Sequence, residues 1–364
     1  MGWLIAALVI AGLWAITRYY LSGPDLGRFD QGVSAAIGDD LEPSAEHHEV
    51  LQLLNELSSA GTEASRKNRL TSMRVAMDSM GSQADLDGID VLPVDAAGIS
   101  AEWVCVSGGC DPRRRLLYIH GGAFTMGSPK SHRVITSKFA RMTGMAVLAI
   151  DYRLMPEHKR LDSLIDSQTA YRWILDNGPR GPEPCSELVV AGDSAGGNLT
   201  LAVIAWARDE GLQAANAAVA LSPATDSAFT SPSLLANVAT DHMLGPMLGR
   251  LVRLPRGLML WASFLNARMR PCDSRISPVY GSLENLPPTL VHASESEMLL
   301  DDARRYVRKA TEQGSEATLE TWHHMLHVWH AFEHRLPEAK EAFEHINRFL
   351  TLNSPARLEQ SAGG

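Results

Sequence analysis

The chain has 364 residues, which suits one large domain or one domain with a sizeable insertion. Apolar residues make up 45% and charged residues 21%, so a disordered or fibrous chain is excluded and a full core is allowed. A formal net charge of −9 without a basic stripe argues against a nucleic-acid partner; the densest basic run, Arg113-Arg114-Arg115, precedes an apolar run and is expected to flank a strand.

From Trp3 to Ile16 the chain is unbroken apolar, and Thr17, Arg18, Tyr19 and Tyr20 follow. As a helix, positions 3–22 would rise about 30 Å, just enough for a bilayer core. Trp3, Tyr19 and Tyr20 would then lie near the two interfaces, where amphipathic rings are favoured. A cleaved signal peptide would want a basic start and a small-x-small site, and neither is present. A buried core helix would show a polar face. Met1-Gly2 does not complete a myristoylation signal, because position 6 is Ala6. A membrane anchor over residues 1–22 is therefore expected, with a shallowly inserted helix as the alternative. Its orientation stays open, Arg18 and Arg28 leaning towards a cytoplasmic main domain.

Residues 23–44, rich in Gly, Asp, Pro and Ser, read as a linker. Helical spacing follows over 45–81, at Val50, Leu51, Leu54 and Leu57 and then at Leu70, Met73 and Met77. Residues 23–100 are thus expected to be linker and N-terminal cap helices. From about Trp103, short apolar runs alternate with helix-like segments. Strands are expected at 103–106, 116–120, 145–151, 188–192, 217–221, 289–293 and 317–321. Helices are expected at 131–143, 163–177, 195–209, 301–313 and 337–350. Such alternation predicts an α/β fold, a mostly parallel sheet with helices on both faces and its chemistry at the carboxyl ends of the strands. The rhythm breaks between Asp226 and about Pro271, a stretch containing Met243, Met247, Met259 and Trp261. A cap insertion over 227–271 is expected, its flexible side chains suited to varied apolar ligands; plain helical packing on the sheet is the alternative. The catalytic domain is then 101–226 with 272–352. Cys105, Cys110, Cys185 and Cys272 show no metal spacing and read as reduced packing residues, with a Cys105–Cys110 bridge left open.

Residues 192–196 read Gly-Asp-Ser-Ala-Gly, between an apolar strand and a helix. The string alone is weak, but strand, tight turn and helix are what a nucleophile elbow requires, with Ser194 exposed at the corner. Residues 120–124, His-Gly-Gly-Ala-Phe, follow another strand. Glycines let backbone N–H groups approach a tetrahedral oxyanion, so Gly121, Gly122 and Ala195 are expected to donate to it. His120 is expected to shape this loop. In hydrolases built on such an elbow the base comes last in the chain. His327, set among Leu326, Val328 and Trp329, is favoured, with His323, His324 and His330 as fallbacks. His-x-x-His at 324 and 327 has no carboxylate or cysteine close by in sequence, so no metal is expected. The acid must lie between the strand at 289–293 and the next helix. Glu295, Glu297 and Asp301 all qualify, although Asp301 reads more like a helix N-terminal carboxylate.

With these residues in place, the chain resembles the hormone-sensitive-lipase group of esterases within the α/β-hydrolases. The matches are HGGAF at 120–124, DYRLMPEH at 151–158, GDSAGG at 192–197, SESEMLLDD at 294–302 and HMLHVW at 324–329, together spanning about residues 100–350. The resemblance implies an eight-stranded, mostly parallel sheet under a helical cap. It puts the nucleophile on Ser194, the base on His327 and the acid on Glu297. It makes Asp193 and the 151–158 segment supports of the oxyanion turn. Many relatives have Asp-Pro-Leu where this chain has Glu-Met-Leu, and Ala123 replaces the family's third glycine. Relatives are often homodimers, and some are membrane-bound. The expected activity is hydrolysis of short- to medium-chain carboxylic esters through an acyl-enzyme, without metal or organic cofactor. The alternatives are a lipase or deacetylase acting on membrane lipids or amides, and an inactive hydrolase fold used for binding.

Overall fold

The runs Met145–Ile150 and Glu187–Asp193 are buried at every residue, so both faces of their sheet must be covered. The computed structural model describes residues 2–30, 35–37, 42–61 and 69–354. Its main strands are β1 (Ala35–Ile37), β2 (Ile89–Asp95), β3 (Ser100–Val106), β4 (Asp111–Ile119), β5 (Met145–Ile150), β6 (Glu187–Asp193), β7 (Ala217–Leu221), β8 (Thr289–Ser294) and β9 (Ala317–Trp322). They form one sheet in the order β1-β9-β8-β7-β6-β4-β5-β3-β2. Only β3 runs against its neighbours, antiparallel to β2 and β5; every other pairing is parallel.

The helices are α1 (Gly2–Ala15), α2 (Ala45–Gly61), α3 (Arg69–Met80), α4 (Arg133–Thr143), α5 (Arg160–Asp176), α6 (Ala195–Asp209), α7 (Ser233–Ala236), α8 (Leu244–Leu248), α9 (Arg256–Ala267), α10 (Leu300–Glu312) and α11 (Pro337–Leu352). One sheet face packs against α5, α6 and α10 through Tyr171, Leu199, Val203 and Tyr306. The other packs against α4 and α11 through Ile135, Phe139, Phe343 and Ile346. The arginine run lies inside β4 rather than beside it. Arg115 is fully buried, and its guanidinium donates to the carbonyls of Pro112, Ile174 and Glu183.

Two strands fall outside the expected pattern. The eight strands implied by the resemblance are β2 to β9, and β1 adds a ninth where a linker was expected. Three residues are too few to carry a period-two signal. β2 lies within the stretch read as linker and cap helices, so the domain boundary expected at 101 falls too late. Its Ile89, Val91 and Val94 face inward while Asp90, Pro93 and Asp95 are exposed. Proline and charge on an edge strand break the apolar run that marks a buried one.

Within 227–271, Leu234 and Val252 pack with Met298 and Leu299, and Leu260 packs with Leu21 and Ala228. The N-terminal helix continues beyond α1 in a wider turn to Leu21. Leu21 is buried there, while Trp3, Leu8, Ile10 and Trp14 stand free of protein contacts over most of their surface.

Candidate active site

β6 ends in a corner that holds Ser194 at φ 52° and ψ −114°, a backbone conformation that side chains disfavour. Its own backbone pins it there. The Ser194 N–H donates to Leu221 O at 2.7 Å, and its carbonyl accepts from Asn198 N at 3.0 Å and Ala224 N at 3.2 Å. The corner is too cramped for side chains on either flank. A Cβ on Gly192 would sit 2.5 Å from Ile119 O, and one on Gly196 would sit 1.9 Å from the same atom. Gly196→Ala must push α6 off β4, and backbone cannot yield as a side-chain tip can. We expect a loss of about 3 kcal/mol or more, seen in calorimetry as a lower melting temperature together with lost turnover.

β9 and β8 deliver the two other groups. The loop after β9 buries His327 beside the corner, where the Ser194 hydroxyl donates to Nε2 at 2.9 Å. On the far side of the ring, His327 Nδ1–H donates to Glu297 Oε2 at 2.7 Å. Glu297 Oε1 accepts from Ser294 N at 2.9 Å, and the carboxylate is fully buried. Burial alone would lower the His327 pKa, but the hydrogen bond and charge of Glu297 outweigh it and hold the imidazole above its ordinary value. Burial likewise lifts the Glu297 carboxyl, against the opposing pull of His327. The other acid candidates are occupied elsewhere. Glu295 pairs with Arg304 at 2.5 Å, and Asp301 accepts from Ser233 N at 2.8 Å. A serine, an imidazole and a buried carboxylate in line can pass a proton off the hydroxyl and stabilise the imidazolium that results.

The loop after β4 brings backbone donors to the same corner, with one correction. Gly121 N–H donates to the buried Asp193 carboxylate at 3.0 Å, so it is not available to a substrate oxygen as expected. Asp193 also accepts from Tyr118 OH at 2.6 Å and pairs with His132 at 3.3 Å. Burial would raise its pKa, but His132 and Tyr118 bring it below the ordinary value, so it stays charged and clamps the loop. Among the described residues, no protein acceptor is found for the N–H groups of Gly122, Ala123 and Ala195. Ala123 lies at φ 53° and Phe124 at φ 60°, so the replaced glycine does sit where glycine is favoured. His120 shapes the loop, as expected. Its Nδ1–H donates to Gly121 O at 2.7 Å, its ring stacks on Tyr152 at 4.2 Å, and burial beside His132 pushes its pKa down to about 3.

Residues 116–331 match the profile of a family described as having the alpha/beta hydrolase fold. An acetyl-hydrolase of Streptomyces hygroscopicus is 34% identical over 303 residues, covering 82% of this chain and 95% of that one. An esterase from the bacterial hormone-sensitive lipase family, known by crystal structure, superposes with a TM-score of 0.72 at 34% identity, over 85% of this chain and 98% of that one. A carboxylesterase/phospholipase of Mycobacterium tuberculosis is 34% identical over 65% of this chain and 61% of its own length. The chain belongs to the hormone-sensitive-lipase group of the α/β-hydrolases. It is an esterase of the serine-hydrolase type.

In this hormone-sensitive-lipase relative the loop after β4 is braced from outside by a residue that sequence reasoning missed. Arg74, on α3, donates to Thr125 O at 2.8 Å and Met155 O at 3.0 Å, and pairs with Glu157 at 2.8 Å. Asp78 accepts from Ser128 Oγ at 2.6 Å. The 151–158 segment closes the brace, with Tyr152 OH donating to His120 O at 2.8 Å and Met155 N to Phe124 O at 2.8 Å. A helical period alone could place α3 but not its partners 50 to 83 residues away. Two of the fallback histidines are placed otherwise. His330 is buried against His292, their ring nitrogens 3.1 Å apart, and His324 is exposed. All four cysteines carry free thiols, so Cys105 and Cys110 are not bridged.

Proposed function

We propose that Ser194, His327 and Glu297 are the nucleophile, base and acid of a carboxylesterase acting on short- to medium-chain acyl esters. The carrying observation is the unbroken line from the Ser194 hydroxyl through both nitrogens of His327 to Glu297, at 2.9 and 2.7 Å. His327 Nε2 takes the hydroxyl proton as Ser194 Oγ attacks the carbonyl carbon. The oxygen that becomes negative meets the N–H groups of Gly122, Ala123 and Ala195, each such donor being worth about 3 kcal/mol. His327 returns the proton to the departing alcohol, leaving an acyl-serine. Water then attacks with the same base and releases the acid. Neither step requires a cofactor. We assign residues 89–226 and 272–352 to the catalytic domain, 227–271 to the cap, and residues 2–21 to a membrane helix.

Short acyl groups are supported by two relatives: the acetyl-hydrolase above, and an esterase crystal soaked with p-nitrophenyl butyrate, 35% identical to this chain. The test is a series of p-nitrophenyl esters from acetate to laurate on the full-length protein. We expect kcat/KM to peak at butyrate or hexanoate. A peak at laurate with emulsified substrate overturns this reading in favour of a lipase. One contact favours that second reading. Trp261 Nε1–H, on cap helix α9, donates to Thr17 Oγ1 of the N-terminal helix at 2.8 Å, which ties the cap to the apolar segment.

A further inference from the structure

The outer surface of the cap carries chemistry that ester hydrolysis does not use. Between Asp241 and Asp273 the chain has five arginines and no acidic residue, in a protein of net charge −9. Arg250 and Arg253 line one groove together with Arg69, and none of the three pairs with a described carboxylate. Beside them, Leu251, Leu254, Leu258 and Leu265 are 43–60% exposed. Buried partners explain their neighbours Val252, Met259 and Leu260 but not these four.

The geometry of α9 connects this surface to the N-terminal helix. Trp261 bonds Thr17, and Phe264 meets Tyr20 edge-on with ring centres 6.3 Å apart. Leu258, Ala262 and Leu265 follow the register of Gly257, Trp261 and Phe264 one residue later, about 100° round the helix, and are exposed. The apolar surface of residues 2–21 therefore continues onto α9. The junction is stiffened by Arg256, which donates to Ser22 O at 3.1 Å and Ala228 O at 3.0 Å.

We propose that this face of the cap docks on an anionic lipid bilayer, with Arg250 and Arg253 at the phosphate head groups and Leu254 and Leu258 among the upper acyl chains. The proposal rests on reading residues 2–21 as a membrane helix and extends it to the folded domain. A bilayer fits better than a second copy of the chain for two reasons. The adjoining twenty-residue helix has mean hydropathy 1.7 and is 6% buried, which matches a lipid environment. Arginines standing beside exposed leucines are placed to keep their charge in the head-group layer while their stems lie on apolar surface. The site is near this face. Ala224, which bonds the Ser194 carbonyl, packs in one cluster with Leu244 and Leu248 of α8.

The test is flotation of the full-length protein with vesicles of phosphatidylcholine, alone or mixed with phosphatidylglycerol. We expect binding to both, stronger on the mixed vesicles, with the excess lost at high salt. The exposed double variant R250Q/R253Q should lose that excess, at about fivefold per arginine. L254S/L258S should weaken binding to both vesicles. Wild-type binding equal on the two vesicles, or R250Q/R253Q binding like wild type, overturns the proposal. Variants that alter the sedimentation coefficient and leave flotation unchanged also overturn it, in favour of a contact between copies. Turnover of soluble p-nitrophenyl butyrate should be unaffected in both variants, which shows that they fold. Wild-type protein without that turnover sinks the catalytic assignment alone, and failure to bind pure phosphatidylcholine sinks the membrane helix.

Discussion

Ser194→Ala is expected to lower kcat for p-nitrophenyl butyrate by about 10⁴-fold or more and to leave the melting temperature within a degree or two of wild type. The size follows if Ser194 is the nucleophile proposed above, since members of such a unit cost nearly the whole effect when removed singly. The small thermal effect follows from the geometry. Among the described residues the hydroxyl makes one hydrogen bond, to His327, while the strained corner is held by the Ser194 backbone. Alanine retains the Cβ and accepts the same φ of 52° at a similar cost. A fluorophosphonate probe should label wild type and not the variant. Labelling at another residue, or retained turnover, would show that the nucleophile lies elsewhere.

Glu297→Gln should be nearly as damaging and carries a second signature. An amide cannot stabilise an imidazolium, and it can turn its N–H₂ towards His327 and impose the wrong tautomer. By analogy with other triads we expect kcat to fall by about 10³–10⁴-fold. The pH profile gives the sign. His327 must be neutral to take the serine proton, and Glu297 holds its pKa above the ordinary 6.5. In wild type, kcat/KM should therefore fall as pH drops through a value above 6.5. Without the carboxylate, burial is the largest influence left and lowers the pKa, opposed by the smaller pull of Asp241 and Asp193. The acid limb of the residual activity should then move to lower pH. A limb that stays in place would mean that Glu297 does not touch the base, whatever happens to kcat.

The parts of the site that lie in one short string were legible in the sequence. GDSAG between an apolar strand and a helix predicts its own corner, and His327 was singled out by its apolar flanks. Which carboxylate pairs with His327 was not legible from the residues alone. Three carboxylates stand within seven positions, and what separates them is distant: Arg304 engages Glu295, while Ser233, on α7, engages Asp301. The same limit applies to the loop after β4. Gly121 and Gly122 look alike in sequence, but Asp193, seventy-two residues further on, captures only the first N–H. In the fold, strands buried on both faces announced themselves. β1 is too short to do so, and β2 is interrupted by Pro93.

Those two inconspicuous strands form the rims of the sheet. β1 lies along the second half of β9, register Ala35 to Glu320 through Ile37 to Trp322, and takes up backbone groups that would otherwise be open there. The opposite rim ends in a strand that shows Asp90, Pro93 and Asp95 to solvent. Proline and negative charge at one rim, and a terminal strand of only three residues at the other, each discourage a foreign strand from adding on. Sheet-to-sheet growth is thus discouraged at both ends, so if two copies of this esterase associate, they should meet through helices.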